Sequence, residues 1–320
     1  MEYRLLGKSG ARVSVIGLGT NRFGSQTVPQ DKVSRIIDAA ADLGINFIDT
    51  ADSYSGGRSE ETLGQALKGK WAKFIVATKF YFATGDGPNE GGTSRYHMTN
   101  ALEASLRRLQ SDHVDLYYIH RWDDNTPIAE SLRALDDMVR LGKVRYVGCS
   151  AFASWQLAHA NLLAEVRGWS PAVVIQSAYN ILERDVEREV LPYCRAHNVG
   201  FVPYYPLAGG FLTGKYKKGE PAPPGSRGES SRQVRQFMAD PFYAKIEKLA
   251  GWAQRRARGL NELAEAWLLA QPKVCSVISG ATQLEHVLSN VKAAGWALTA
   301  AELKEIDGIL ENDPIPPKTL

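Results

Sequence analysis

Short β-branched or aromatic runs alternate eight times with amphipathic segments, and this rhythm constrains the fold more than any other feature of the chain. The runs fall at residues 13–18, 45–48, 74–78, 114–119, 144–148, 173–175, 200–203 and 274–278. Between and after them, apolar positions recur at helical spacing over 31–43, 60–67, 99–109, 128–141, 155–166, 186–196, 241–258 and 283–291. The runs are near-continuously apolar, as strands covered on both faces must be. Eight such units without a composition shift predict one α/β domain over residues 1–320, a closed (β/α)8 TIM barrel. A doubly wound dinucleotide-binding sheet is the rival. Its Gly-x-Gly-x-x-Gly turn is missing, because Gly17-Leu18-Gly19-Thr20-Asn21-Arg22 has arginine where the third glycine belongs.

Tyr3-Arg4-Leu5-Leu6-Gly7, a Lys8-Ser9-Gly10 turn and Arg12-Val13-Ser14-Val15 predict an N-terminal β-hairpin that caps the amino-terminal mouth. Three segments break the rhythm. Residues 81–96 are glycine-rich, 205–238 are rich in Gly, Pro and Arg, and 293–320 read as a tail ending in Pro314-Ile315-Pro316-Pro317. The first two follow the third and seventh strands, so they are expected as long loops over the C-terminal face, covering substrate or cofactor.

Bulk composition excludes several classes. A net charge of +3, with Lys and Arg dispersed, leaves no footprint for a nucleic-acid partner. The stretch Arg255-Arg256-Ala257-Arg258 reads as the last turn of a helix, where cations suit the dipole. Cys149, Cys194 and Cys275 are odd in number and lack metal or redox spacing, which fits a reduced, cytoplasmic setting. The opening residues lack an apolar signal core, and no apolar run approaches the ~20 residues of a membrane span. His97, His113 and His120 have no ligand-like spacing, so no metal is expected.

Four residues sit where a barrel assembles its active site, at or just past strand ends. Asp49 closes Ile45-Asn46-Phe47-Ile48, and Tyr54 follows it within one short loop. Lys79 closes the third run, and His120 the fourth. Phenol, ammonium, imidazole and carboxylate together make a proton-donating site suited to reducing a carbonyl. Taken singly, each has a plainer reading: a rim salt bridge for Asp49 or Lys79, packing for Tyr54, a hydrogen-bonded rim histidine for His120. Their joint order favours the site.

These residues also carry a family resemblance. Phe47-Ile48-Asp49-Thr50-Ala51-Asp52-Ser53-Tyr54, Ala77-Thr78-Lys79 and Leu116-Tyr117-Tyr118-Ile119-His120-Arg121-Trp122-Asp123 resemble the signatures of the aldo-keto reductases, in order. So do Gly142-Lys143-Val144-Arg145-Tyr146-Val147-Gly148-Cys149-Ser150, Gln176 with Tyr179-Asn180, and Tyr204-Tyr205-Pro206-Leu207 with Leu212-Thr213-Gly214-Lys215. The likeness ends with Ile278-Ser279-Gly280-Ala281-Thr282 and Asn290, spanning nearly the whole chain.

The resemblance implies reduction of a small aldehyde or ketone by NADPH, with NADH less favoured. Tyr54 would give the proton, Lys79 would lower the Tyr54 pKa, Asp49 would pair with Lys79, and His120 would orient the carbonyl oxygen. Ser150 and Gln176 would hold the nicotinamide carboxamide, and Tyr204 would stack on the ring, with plain aromatic packing as its rival reading. Gly19, Thr20 and Asn21 would line the same groove. Leu207, Gly209, Phe211, Gly214 and Lys215 would meet the pyrophosphate, Gly280 and Thr282 would open the last helix toward phosphate, and His286 and Asn290 would face the adenine end.

Three departures qualify the match. Ala151 stands where the family usually has Asn, Ser289 where an acidic residue is usual, and His286 where Gln is frequent. No Lys or Arg lies in 280–286, so Arg227 becomes the expected partner of a 2′-phosphate. Phe23, Tyr81, Trp122 and Tyr205 are candidates for an aromatic substrate pocket, suiting a keto-sugar or reactive aldehyde by analogy. Monomer and homo-oligomer both stay open. The alternative function is a cofactor-sensing subunit like the potassium-channel β-subunits. A Schiff-base lyase using Lys79 is disfavoured, since a charged lysine beside Asp49 is in the wrong protonation state.

Overall fold

The computed structural model describes residues 1–311; the proline-rich segment 314–317 lies outside the described residues. Strands β1 (Tyr3–Leu5) and β2 (Arg12–Ser14) pair antiparallel as the predicted hairpin. Eight further strands form one parallel sheet: β3 (Ile16–Gly19), β4 (Phe47–Asp49), β5 (Ile75–Phe80), β6 (Val114–Ile119), β7 (Val144–Ser150), β8 (Ala172–Ala178), β9 (Gly200–Tyr204) and β10 (Val277–Gly280). They neighbour one another in sequence order, with β10 against β3. The seam between β9 and β10 is closed by a parallel bridge from Phe201 to Val274, where Phe201 N donates to Lys273 O (2.8 Å) and Cys275 N to Phe201 O (3.0 Å). The result is the (β/α)8 barrel.

Helices α1 (Gln30–Asp42), α2 (Arg58–Leu67), α3 (Arg95–Leu109), α4 (Ile128–Arg140), α5 (Ser154–Arg167) and α6 (Val190–His197) each follow a strand and cover the barrel. In α1 the buried Val33, Ile36, Ile37 and Ala40 repeat at helical spacing, which gives the helix its inward stripe. α3 begins four residues earlier than its apolar stripe, because the Ser94 hydroxyl accepts from His97 N (3.2 Å) and caps the helix. After β9 come α7 (Arg227–Ser230), α8 (Arg232–Phe237), α9 (Asp240–Gln254) and α10 (Leu260–Leu269), and after β10 come α11 (Leu284–Ala294) and α12 (Ala300–Glu311).

Two of these correct the sequence reading. α10 was not expected; it buries Leu260, Leu263, Ala264, Ala266, Trp267, Leu268 and Leu269, so it is apolar around most of its circumference and shows no clean stripe. The segment read as a tail carries the end of α11 and then α12, Ala300–Glu311, with Ile306 and Leu310 buried. The basic stretch lies just past the end of α9, where Arg256 reaches Glu302 (3.2 Å) and Glu305 (3.0 Å) on α12.

The hairpin plugs the amino-terminal mouth. Leu6 and Val13 are buried with Phe47, Leu116, Val174 and Val202 inside the barrel. Gly7 makes this approach possible: its φ is +58°, and a Cβ there would lie 1.9 Å from Val173 O. Among the described residues no helix is long and apolar enough to cross a membrane. All three cysteines are buried and unpaired.

Candidate functional site

Strand register puts the expected groups on one rim. Asp49 ends β4 directly opposite Gly19 of β3 and Ala77 of β5. Lys79 sits next to last in β5, and His120 follows the last residue of β6. The chain between Asp49 and Tyr54 is pinned by backbone bonds from Thr50 N to Ala77 O (2.9 Å) and from Asp52 N to Lys79 O (3.1 Å). A tight turn, Tyr54–Gly57, then reverses direction, with Ser55, Gly56 and Gly57 at φ 52°, 65° and 87°. A serine in the left-handed region costs roughly 1 kcal/mol, so the surrounding contacts must hold it there.

Lys79 is 0% exposed. Its Nζ donates to Asp49 Oδ2 (2.6 Å), to Thr50 O (2.7 Å) and to the Tyr54 hydroxyl (3.3 Å). The other Asp49 oxygen accepts from Gln176 Nε2 (2.8 Å). Burial alone would push the ammonium pKa down; the Asp49 carboxylate and the contact to Tyr54 reverse this, and the net shift is upward. Lys79 therefore stays charged, the wrong state for a Schiff-base nucleophile.

Tyr54 corrects one expectation. Lys79 does pull its pKa down, but burial outweighs that pull and Asp49 opposes it, so the phenol lies above its ordinary value. Tyr54 holds its proton firmly at neutral pH. His120 is pushed down to about 3 by burial, then by Lys79 and Arg121, and is a neutral imidazole. Its buried Nδ1 has no partner among the described residues. The ring stands edge-on to Tyr54 at 6.0 Å and to Phe82 at 4.9 Å. Two neutral donors thus converge with an ammonium behind one of them, which is an arrangement for stabilising charge that develops on an oxygen.

The expected cofactor residues divide into open and occupied groups. Gly19 and Gly280 face each other across β3 and β10 and leave that rim without side chains. Ser150 and Gln176 are register partners on β7 and β8, both buried, and Gln176 is committed to Asp49. Tyr204 ends β9, half-buried, with Arg121 and Tyr54 close enough to affect its phenol. Thr20 is fully buried, and its hydroxyl contacts Asp49 O (2.9 Å) and Ser59 Oγ (3.0 Å), so it braces the loop that runs from Asp49 to Tyr54. Phe211 is buried within an aromatic cluster with Tyr216, Phe237 and Tyr243, so its ring has no surface to offer a cofactor. Around it Gly209, Gly210 and Gly214 are left-handed and Leu207 is half-buried.

Two cations bracket the groove. Arg227 Nη2 donates to the Asn21 side chain (3.3 Å), lies 6.0 Å from the Tyr205 ring centre, and acts on the Tyr54 phenol. The exposed Lys215 acts on His286, whose pKa is lowered first by burial and then by that ammonium. His286 Nδ1 in turn accepts from Thr282 N (3.3 Å) at the start of α11, and Asn290 lies buried further along that helix. Ala151, at the departure from the usual Asn, has φ 53°, a conformation Asn tolerates better than Ala.

Of the pocket candidates, Phe23 is 0% exposed in the core and has no surface to offer a substrate. Tyr81 packs edge-on against Phe82, and Trp122 packs against Phe152 and Trp155 while donating to Asp124 (2.8 Å). Tyr205 is half-buried beneath Arg227. Phe82, Trp155, Arg121 and the Thr50 carbonyl were not anticipated. Phe82 lies just two residues past β5, a placement that could have singled it out; the carbonyl has no signal in a side-chain pattern. A cavity of about 530 Å³ lined by Leu67, Trp71, Leu109 and His113 opens at the other end of the barrel, far from this chemistry. Among the described residues no group of three or more His, Cys, Asp or Glu is placed to hold a metal.

Residues 15–311 match the model of the Aldo/keto reductase family. A probable voltage-gated potassium channel subunit beta of Arabidopsis thaliana is 36% identical over 329 aligned positions, covering 100% of this chain and 99% of that protein. An uncharacterised oxidoreductase of Bacillus subtilis is 37% identical over 97% of this chain and 96% of its own length. A putative voltage-gated potassium channel subunit beta of Schizosaccharomyces pombe is 34% identical over 98% and 95%.

Proposed function

Because the chain belongs to the aldo/keto reductase family and is an NAD(P)H-dependent oxidoreductase, we propose that it reduces the carbonyl of a small aldehyde or ketone with NADPH, using Tyr54 as proton donor. The observation that carries this reading is the Tyr54 hydroxyl 3.3 Å from an ammonium that Asp49 holds charged, beside a neutral His120. The bound dinucleotide would supply hydride to the carbonyl carbon. The chain's own part is to orient and protonate. Tyr54 and His120 would donate to the carbonyl oxygen, and as negative charge grows there the Tyr54 proton would transfer to it. Lys79 would stabilise the phenolate so formed until solvent reprotonates it. Burial makes the resting phenol a weaker acid than free tyrosine, so proton release would depend on Lys79 and on the charge growing on the carbonyl oxygen.

Ser150, Gln176 and Tyr204 would seat the nicotinamide, Lys215 would lie beside the pyrophosphate, and Arg227 would supply the cation for the extra phosphate of NADPH over NADH. Phe82, Trp122 and Trp155 form an aromatic margin on which the apolar face of a keto-sugar or reactive aldehyde could lie. Buried free thiols agree with a reducing, cytoplasmic setting. The test is NADPH oxidation with a broad carbonyl panel. Tyr54→Phe should lower kcat by about 10²–10⁴ while leaving cofactor binding, read by fluorescence quenching, unchanged. Undiminished turnover in that variant would refute the acid assignment.

A second reading is favoured by the relatives named as potassium channel β-subunits: a cofactor-sensing subunit with little turnover. It predicts tight NADPH binding, negligible reduction of every carbonyl offered and a stable complex on a sizing column.

A further inference from the structure

Below the catalytic phenol lies a buried polar cluster that hydride and proton transfer do not use. Asp52 is two residues before Tyr54, and its carboxyl is 2% exposed, with neither oxygen accepting a hydrogen bond of good geometry. Tyr117 on β6 is 0% exposed, and its hydroxyl is likewise unpartnered. Glu60 on α2 is fully buried and already engaged, accepting from Thr78 Oγ1 (2.5 Å) and Arg108 Nε (2.7 Å). Every cation in reach has its own carboxylate: Arg108 from α3 pairs with Glu60, and Lys79 from β5 pairs with Asp49. An ionised Asp52 would be a further buried anion in this cluster with no cation of its own.

We propose that Asp52 is a positioning residue that works as a neutral carboxylic acid, keeping the loop from Asp49 to Tyr54 seated against β5 and β6 and loosening it when it ionises. The proposal rests on the reading of Tyr54 as proton donor. Charge and burial support it: burial first, then Glu60, raises the Asp52 carboxyl to about 7, against opposing pulls from Arg108, the Ser53 N–H and Lys79. The loop is anchored at Asp52 by its backbone bond to Lys79 O, so repulsion felt by the carboxyl is transmitted to the strand that carries the ammonium and to the turn that carries Tyr54. An added negative charge near Lys79 would also weaken the field that stabilises the phenolate.

The sign follows from linkage. The folded pKa is above the ordinary carboxylate value of 3.8, so ionisation is penalised in the folded state. That penalty is absent at low pH, builds through the window from 3.8 to about 7, and is fully present above it. Wild-type kcat should therefore fall roughly threefold or more between about pH 6 and about pH 8.5, with the cofactor KM unchanged. Asp52→Asn, neutral at every pH, should keep the low-pH kcat and lose this decline. Infrared difference spectra of wild type against Asp52→Asn should show a protonated-carboxyl band that fades with a midpoint near neutrality.

A decline that persists in Asp52→Asn, or a carboxylate already ionised at about pH 5.5, overturns the proposal. The infrared midpoint does not need turnover, so it stands apart from the Tyr54→Phe test. Should the asparagine variant fail to fold, carbon-13 aspartate labelling of the wild type reads the same midpoint.

Discussion

The two ends of the proposed cofactor groove are built on different principles. At the catalytic end Asp49, Lys79 and Gln176 issue from strands, are buried, and engage one another directly. At the other end, residues 207–215 and 280–290 present left-handed glycines, an exposed Lys215 and a His286 whose ring accepts from Thr282 N just before its helix. Strand ends fix side chains to within the tolerance that proton transfer demands. Loop backbone tolerates movement, which suits phosphate contacts whose energy is mostly charge. The contrast predicts that changes at the first end act on kcat and stability together, while changes at the second act on cofactor binding alone.

The largest effect should come from Lys79→Met. It leaves Asp49 as a buried carboxylate without its cation, which typically costs 3–5 kcal/mol, and it removes the charge that stabilises phenolate. Denaturant unfolding and turnover should therefore fall together. The His120 imidazole, still held down by burial but freed of that ammonium, should titrate closer to its usual value by NMR. A variant of unchanged stability would show that the catalytic end is not preorganised in the way proposed.

Next in size are the two cations. Arg227→Ala should raise the NADPH Kd by about tenfold, a charge-assisted bond to phosphate being worth ~1.5 kcal/mol or more, and leave NADH binding nearly unchanged; Lys215→Ala, beside the shared pyrophosphate, should weaken both dinucleotides, and neither should move the unfolding midpoint much. Titration with both dinucleotides checks this. Equal losses for NADPH and NADH in both variants would remove the 2′-phosphate from the assignment. An NADPH-selective loss confined to Lys215→Ala would place that phosphate at the His286 end instead of beside Asn21.

This same division decides what could be read from sequence. Asp49, Lys79 and His120 were legible because each terminates an apolar run, and the register of a barrel turns that position into proximity. Burial was not. Phe23 and Thr20 follow the first strand as any rim residue would, yet one joins the core and the other braces Asp49. Tyr54 was located, but the direction of its pKa depends on how much burial opposes Lys79, which residue order does not reveal. Asp52 stood in a quoted motif without a role, because its burial is set by tertiary packing. α10 was hidden for the opposite reason, being apolar on so many sides that it lacks a period.

The smallest effect tests the border between the two ends. Ala151 follows Ser150 at the end of β7, and its N–H donates to Gln176 O (2.9 Å), so its backbone is joined to the residue that holds Asp49 while its side chain lies next to the proposed nicotinamide contacts. At φ 53° alanine is held where L side chains are disfavoured by ~1 kcal/mol, and asparagine is the non-glycine residue most tolerant of that region. Ala151→Asn should thus raise stability by about 0.5–1 kcal/mol and, through its side-chain amide, tighten cofactor binding by about fivefold if one net hydrogen bond forms. Thermal unfolding without cofactor isolates the backbone part, and NADPH titration the side-chain part. A gain in stability with no gain in affinity would assign Ala151 to the rigid end alone; the reverse would mean that the strain at this position is already relieved by the bond to Gln176.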